Sequence, residues 1–366
     1  MHLLERFAMN AGHLISSLFV IASCTTEQAD PPGHDVDAPP RCTAATSTVT
    51  VMVARTPTPG GSSIQAWTLD AVANATSVIA HRPADDGALH AAYIDEAGAI
   101  ELAVIPQAGP YRFKAAAITL GGNACATLLS DKGGMFLGCK GAAAEPANLQ
   151  HLDATRRPVP FVHADGSLSV FTQSFASFTE LRRTQAGTWS EIEQYESSIS
   201  YPTDVAAADG EPVVCFISAG DRAVIGRGHD NELASTATTE SCRIALDGTT
   251  LHVLTDGGYA KFPLEDVSGQ LGTFDVAPVP ALGTMRTTRL FVLDGAAYAL
   301  GFDADTVKAV PLAGGQPLVL GMASQSQATI DWDDATRAVR IVTSKLDTSG
   351  PGPVYPQTLT FETHCL

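Results

Sequence analysis

Cysteines are the residues of this 366-residue chain whose chemistry can be argued from spacing alone. Six of them, Cys42, Cys125, Cys139, Cys215, Cys242 and Cys365, form no CxxC pair and no Cys/His cluster of the kind that holds zinc. An even set without metal spacing reads as disulfides, for which six residues allow 15 pairings. Cys42 lies near the start of the core-forming sequence and Cys365 is next to last, so a bond between them would clasp the two ends of a domain. Cys125 and Cys139 flank Asp131-Lys132-Gly133. A three-residue hairpin there, with Gly133 left-handed, sets positions summing to 264 opposite one another and brings these two cysteines face to face. Cys215 and Cys242 are then left for each other.

Other candidates for chemistry are weaker. There is no Gly-x-Ser-x-Gly elbow, no His-Glu-x-x-His helix and no phosphate-cradling glycine loop. His229-Asp230-Asn231-Glu232 crowds polar groups into one loop and reads as a solvated turn. Asp303-Ala304-Asp305 and Asp331-Trp332-Asp333-Asp334 place oxygens at alternate positions but lack the glycine and distal glutamate of a calcium loop. His90 and His252 occupy matching places after turns, where a half-buried histidine is the simpler reading. Trp67, Trp189 and Trp332 read as core, since each buries a large area. Arg156-Arg157 and Arg182-Arg183 are the adjacent cationic pairs. The expectation is no catalytic set, no cofactor and no metal.

The seventh cysteine, Cys24, ends an apolar run from Leu14 to Ala22 that is too short to span a bilayer but right for the core of an export signal. Ile21-Ala22-Ser23-Cys24 resembles a bacterial lipobox, which implies lipidation at Cys24 and cleavage just before it. The expected organisation is a lipoprotein signal peptide at 1–23, a lipid anchor with a proline-rich acidic tether at 24–45, and a folded domain at 46–366. The tether, with Pro31-Pro32 and Pro39-Pro40, would reach up to about 50 Å from the membrane at about 3 Å per residue. Thr25 in place of Asp favours the bacterial outer membrane within that resemblance. Only Arg6, offset by Glu5, supplies a strong cation ahead of the apolar run.

Acidic residues outnumber basic ones, 39 to 22, for a formal charge of −17, and no basic stripe appears. Nucleic acid is therefore disfavoured as a partner, and none is expected, because phosphate binding needs clustered Lys and Arg. The expected partners are the membrane, through the N-terminal lipid, and a glycan or protein ligand; the domain is expected to be monomeric.

These residues must be positioned by a repeated element. An apolar strand, a turn built on Asp-Gly and a second alternating strand recur at Asp86-Gly87, Asp165-Gly166, Asp209-Gly210, Asp247-Gly248 and Asp294-Gly295. Weaker copies stand at Gly121-Gly122-Asn123 and Asp333-Asp334. From Gly87 to Asp334 there are six steps of about 41 residues, a blade-sized period. Asp-Gly suits such turns because a tight hairpin needs positive φ, which glycine adopts without steric cost. Short antiparallel strands without helical periodicity predict an all-β chain, a β-propeller of about seven blades with three to four strands each, six or eight being the alternatives. Ser47–Val53 and Ser63–Leu69 are expected to complete the last blade beside Gln357–Glu362, closing the ring with both termini.

The segment Asp85 to Asp95 followed by Gly98-Ala99-Ile100-Glu101-Leu102, and the segment Leu181 to Ser190, resemble the repeat of sialidase-like propellers. Sialidases hold a substrate carboxylate with arginines and use a Tyr-Glu nucleophile pair with an Asp acid/base. None of those residues maps onto a position here, and Thr184 to Trp189 departs from the Ser-x-Asp-x-Gly box of that family. The resemblance therefore implies fold more than activity. The functional expectation is a membrane-anchored, exported binding or interaction module. A divergent sialidase-like glycoside hydrolase and a structural scaffold in an envelope complex are its alternatives.

Overall fold

The computed structural model describes residues 42–366 apart from 59–60, 65–67, 71–76, 84–87, 97, 107–112, 131–133, 148–151, 154–156, 175–177, 196–200, 228–231, 268–271, 326 and 351–353. Cys24, the apolar run before it and the tether up to residue 41 lie outside the described residues. Described strands assemble into seven sheets. Their first strands are Thr68–Asp70, Phe113–Leu120, Val159–Val162, Tyr201–Ala208, Cys242–Asp247, Arg286–Leu293 and Ala328–Asp333. Each of these touches the next and the last touches the first, so they form a closed ring around an axis. The all-β β-propeller expected from the repeat is the fold observed.

The turn chemistry explains the local structure. Asp209 and Gly210 adopt φ of 53° and 83°, and Asp294 and Gly295 adopt 51° and 75°. These two-residue loops close the pairs Ala208↔Glu211 and Leu293↔Ala296 between the first and second strands of their sheets. Gly121 and Gly122 do the same for Leu120↔Asn123. Asp86-Gly87 is out of step. It lies outside the described residues, between the second and third strands of the first sheet, Ser77–Pro83 and Ala88–Asp95, whereas the other copies join first to second. Hence the step from Gly87 to Gly122 is the shortest in the series.

Ring closure uses both termini. Ala45–Thr58 pairs antiparallel with Val354–Cys365, with Val51 opposite Gln357, and this pair joins Ala338–Leu346 and Ala328–Asp333. Ser63–Leu69 is split rather than continuous. Gly61–Ile64 folds back on the end of the N-terminal strand, and Thr68–Asp70 opens the next sheet. Ala45–Thr58 thereby becomes the outer strand of the last sheet, and Gly61–Ile64 covers the end of its edge at Arg55–Thr58, where an open edge would invite pairing with other chains.

Three disulfides are present. Cys42–Cys365 has a Cα separation of 5.6 Å and spans the seam. Cys125–Cys139 joins the second and third strands of its sheet at the register Cys125↔Cys139, Leu129↔Met135. Cys215–Cys242 links the second strand of the fourth sheet to the first strand of the fifth.

Apolar residues fill the gaps between neighbouring sheets. Phe171, Phe178 and Phe216 stack across the third and fourth, with ring centroids 5.8 and 5.1 Å apart along the series. Phe291 and Trp332 stack at 4.2 Å across the sixth and seventh. Each fully buried aromatic of this kind contributes about 2–3 kcal/mol from area alone. The fifth sheet has three strands. The strand that follows it, Gly272–Phe274, turns back to pair in parallel with the outer strand of the fourth, Glu232–Thr238. No described helix is long and apolar enough to cross a membrane.

Candidate functional site

The beginnings of the first strands surround a cavity of about 830 Å³ on the propeller axis, lined from the second through the seventh sheets. Two β-bulges shape its wall. In Tyr201–Ala208 and in Arg286–Leu293 the register slips by one residue, at Thr203 and Thr288 respectively. Each bulged threonine donates its hydroxyl back to the second strand, Thr203 Oγ1 to the Cys215 carbonyl at 3.0 Å and Thr288 Oγ1 to the Leu300 carbonyl at 3.2 Å. A bulge leaves the extra residue outside the ladder. Arg243, on the strand between them, takes up the two carbonyls so released: Nη1 donates to Thr203 O at 3.2 Å and Nε to Thr288 O at 3.0 Å, with a further bond from Nη1 to Cys242 O at 2.7 Å. One guanidinium thereby ties three adjacent first strands.

The residue after each bulge is charged. Asp204 and Arg289 both point to the axis, where Arg289 Nη1 lies 3.5 Å from Asp204 Oδ1 and Arg289 Nε lies 3.5 Å from Asp331 Oδ1. Asp204 and Asp331 are buried, and 39% of the Arg289 side chain is open to the channel. Asp204 is fully engaged: Oδ1 also accepts from the Val205 amide and Oδ2 from the Ile244 amide of the next sheet. Asp331 Oδ1 accepts from the Trp332 amide at 2.8 Å. Burial pushes the Asp331 carboxyl up to about 7, against the opposing charge of Arg289 and the amide bond. The charge of Asp331, then of Asp204, pushes Arg289 up against its own burial. Burial lowers Arg243, and Asp204 opposes that shift. Gly301 makes room for the second bulge, since a Cβ there would clash with the Arg286 carbonyl oxygen.

The rim is polar. Asp256 accepts from Thr239 Oγ1, the Glu240 amide and Ser241 Oγ, holding the loop at 239–241 in place. Lys114, Arg157 and Arg286 complete the cationic part of the wall. Tyr201 donates its hydroxyl to the Glu240 backbone carbonyl at 3.3 Å.

The residues singled out from sequence are mostly elsewhere. His252 is buried away from the cavity, its Nδ1 2.6 Å from the Tyr259 hydroxyl, and burial lowers its pKa. Trp332 is core, and Trp189 Nε1 donates to Glu145 Oε1 at the contact between the second and third sheets. Arg183 binds the same carboxylate, Nε to Oε1 and Nη2 to Oε2, both at 2.8 Å. Asp303 is bound by Lys308 and Thr284, and Asp333 fastens its own turn through Thr336. His229 to Asn231 and Trp67 lie outside the described residues, while burial raises Glu232. Arg157 of the cationic pairs does line the cavity.

Sequence reasoning missed Asp204, Arg243 and Arg289 and read Asp331 only as a turn oxygen. The signal was present: Asp204 and Arg289 each follow a threonine and each stand five residues before an Asp-Gly turn. That pattern covers two of the four: Arg243 stands four residues before Asp247, and Asp331 two before Asp333.

No protein-family model matches the chain, and no curated protein matches its sequence. Among solved structures it is similar to one from a structural and mechanistic study of two prolyl endopeptidases, with 11% identity and a TM-score of 0.43, covering 81% of this chain and 46% of that one. This chain thus spans about half of that protein's length. It is also similar to the WD40 domain of SCAP from fission yeast, with 11% identity and a TM-score of 0.43, covering 88% of this chain and 87% of that one.

Proposed function

We propose that this protein is an exported, lipid-anchored binding module whose propeller presents the axial cavity to a ligand. The observation that carries this reading is the cavity itself, about 830 Å³ walled by polar side chains that are held in place by the bulges and by Arg243. Concave sites with a few fixed polar groups are where small ligands and chain segments bind. Three disulfides accord with an oxidising compartment, the Leu14–Ala22 run with Ile21-Ala22-Ser23-Cys24 supports the anchor, and Thr25 in place of Asp supports the outer membrane.

Placing a photo-crosslinking amino acid at Arg286, on the cavity rim, and separately at Val319, 65% exposed on the outer edge of the sixth sheet, tests the mouth as the binding surface. Adducts from the Arg286 position alone are expected. Adducts from Val319 alone would move the contact to the outer edge and favour the scaffold reading. For the anchor, Cys24→Ala is expected to shift the full chain from the membrane to the soluble fraction and abolish palmitate labelling; retention in the membrane would refute it.

A glycoside hydrolase is the second reading, favoured by the neutral-range titration of Asp331, which suits a general acid. The carboxylate bridged to Asp331 through Arg289, Asp204, is not free to act as the second one, because it is committed to Arg289 and two amides. Release of 4-methylumbelliferone from its neutral and sialyl glycosides, lost in Asp331→Asn, would establish it.

A further inference from the structure

We infer that the axial cavity binds an organic carboxylate on its arginine-bearing wall, with uptake of a proton by Asp331; this rests on the cavity being the binding surface. Among the described residues the wall carries five cations, Lys114, Arg157, Arg243, Arg286 and Arg289, out of 22 in the chain. It carries four acids, Asp204, Glu240, Asp256 and Asp331, out of 39. Cations thus outnumber acids here, in a chain whose formal charge is −17. Such a reversal of sign inside a cleft focuses the field and draws in the opposite charge.

Two of the acids are already spent. Asp204 accepts from the Val205 and Ile244 amides besides meeting Arg289, and Asp256 accepts from Thr239, Ser241 and the Glu240 amide. Lys114 and Arg286 stand exposed on the wall, and among the described residues no carboxylate pairs with either. Arg286 is fixed by a neutral partner: Gln325, in the amide orientation that satisfies both of its polar atoms, accepts from Nε at 2.9 Å and Nη1 at 2.7 Å. Guanidinium forks match a carboxylate with two parallel bonds. The excess of positive charge is small, so it suits one carboxylate rather than a dianion such as phosphate.

Arg289 supplies the coupling. It bridges Asp204 and Asp331 at 3.5 Å each while 39% of its side chain opens to the channel. A carboxylate drawn to that open face competes with Asp331 for one guanidinium and adds a negative charge beside a buried carboxyl. Both effects favour the protonated form of Asp331, whose carboxyl already stands at about 7. The charged groups around it are Asp204 from the fourth sheet, Arg289 from the sixth, and Asp333, Asp334 and Arg340 from its own. Arg340 stands opposite it on the next strand and is bonded to Asp333 and Thr363. Asp70 ends the first strand of the first sheet, which touches the strand of Asp331. No histidine lines the cavity among the described residues. Since the bound form holds its proton more tightly than the free form, affinity rises as pH falls toward 7 and levels off below it.

The test is saturation-transfer NMR and calorimetry on the intact protein with two matched pairs, galacturonate with its methyl ester and acetyl-glutamate amide with acetyl-glutamine amide. At least one acid should bind about tenfold more tightly than its uncharged counterpart, and the pair that shows this names the carrier as a sugar acid or an acidic peptide. Affinity for that acid should fall at least threefold in Lys114→Gln and in Arg286→Gln, and at least threefold from pH 7 to pH 8.5. Asp331→Asn should flatten the pH dependence. Calorimetry of the unaltered protein at pH 8 in two buffers of unequal ionisation enthalpy counts the proton directly, which keeps the test decisive if that variant misfolds. Equal binding of acid and uncharged counterpart, tighter binding of inorganic phosphate, or unchanged binding in both rim variants overturns the carboxylate site. Binding without proton uptake overturns the role of Asp331. No acid binding with adducts at Arg286 overturns the ligand class and leaves the cavity as the binding surface. No acid binding and no adducts at Arg286 remove both.

Discussion

Replacing Cys42 and Cys365 with alanine tests whether the two termini hold the ring together mainly by limiting the unfolded chain. The bond joins residues 323 apart, the largest loop of the three; Cys215–Cys242 spans 27 and Cys125–Cys139 spans 14. Loop-closure entropy then gives about 6 kcal/mol for the seam bond, about 3.5 for the inter-sheet bond and about 3 for the hairpin bond, before native strain is subtracted. The folded seam keeps its strand pairing in the variant, since Ala45–Thr58 stays in register with Val354–Cys365 over ten residue pairs. The loss should therefore fall on the denatured state. Guanidinium unfolding of the three double-alanine variants should rank the losses in loop order. The seam variant should also show the largest rise in m-value, because its denatured chain exposes the most additional surface. If the seam variant loses less than the Cys125→Ala, Cys139→Ala variant, chain entropy is not what this bond supplies.

Three further outcomes follow from the geometry. Asp331 has its folded pKa raised to about 7 from an unfolded value near 4, so the folded state binds more protons between those limits and stability falls as pH rises through that window, at up to about 1.4 kcal/mol per unit; urea midpoints of Asp331→Asn should lose that slope between pH 5 and 7. Glu145 behaves oppositely: the hydrogen bonds of Arg183, aided by its charge and by Trp189, hold its carboxyl below the usual range, so its contribution is present above about pH 4.5 and is lost as pH falls below it. Glu145→Gln should cost about 1 kcal/mol at pH 7, discounted for its partial exposure, and flatten the acid limb of the stability curve. Gly301→Ala should cost about 1–3 kcal/mol in chemical denaturation, because its Cβ would press on the Arg286 backbone and force the sixth sheet's first two strands apart beside the cavity; an unchanged midpoint would show that the bulge at Thr288 relaxes freely.

Fold class was legible because it depends on local chemistry repeated many times. Asp-Gly turns at 209–210 and 294–295 can be recognised residue by residue, and their spacing reports the size of the unit they close. Pairing of Cys125 with Cys139 was legible for the same reason, since hairpin register follows from a turn of known length. Asp86-Gly87 misled for the complementary reason: a turn between second and third strands looks the same in sequence as one between first and second.

By itself, then, the sequence determined the strand–turn unit, the approximate period, the all-β ring and the absence of a standard catalytic motif, all properties carried by residues close together in the chain. Only the tertiary structure decided that Asp204, Arg243, Arg289 and Asp331 meet. They come from four successive sheets, and their approach depends on ring closure and on two one-residue bulges. A bulge rotates every following side chain to the other face of its strand, and the energy that stabilises it comes from the neighbouring sheets rather than from the strand's own residues.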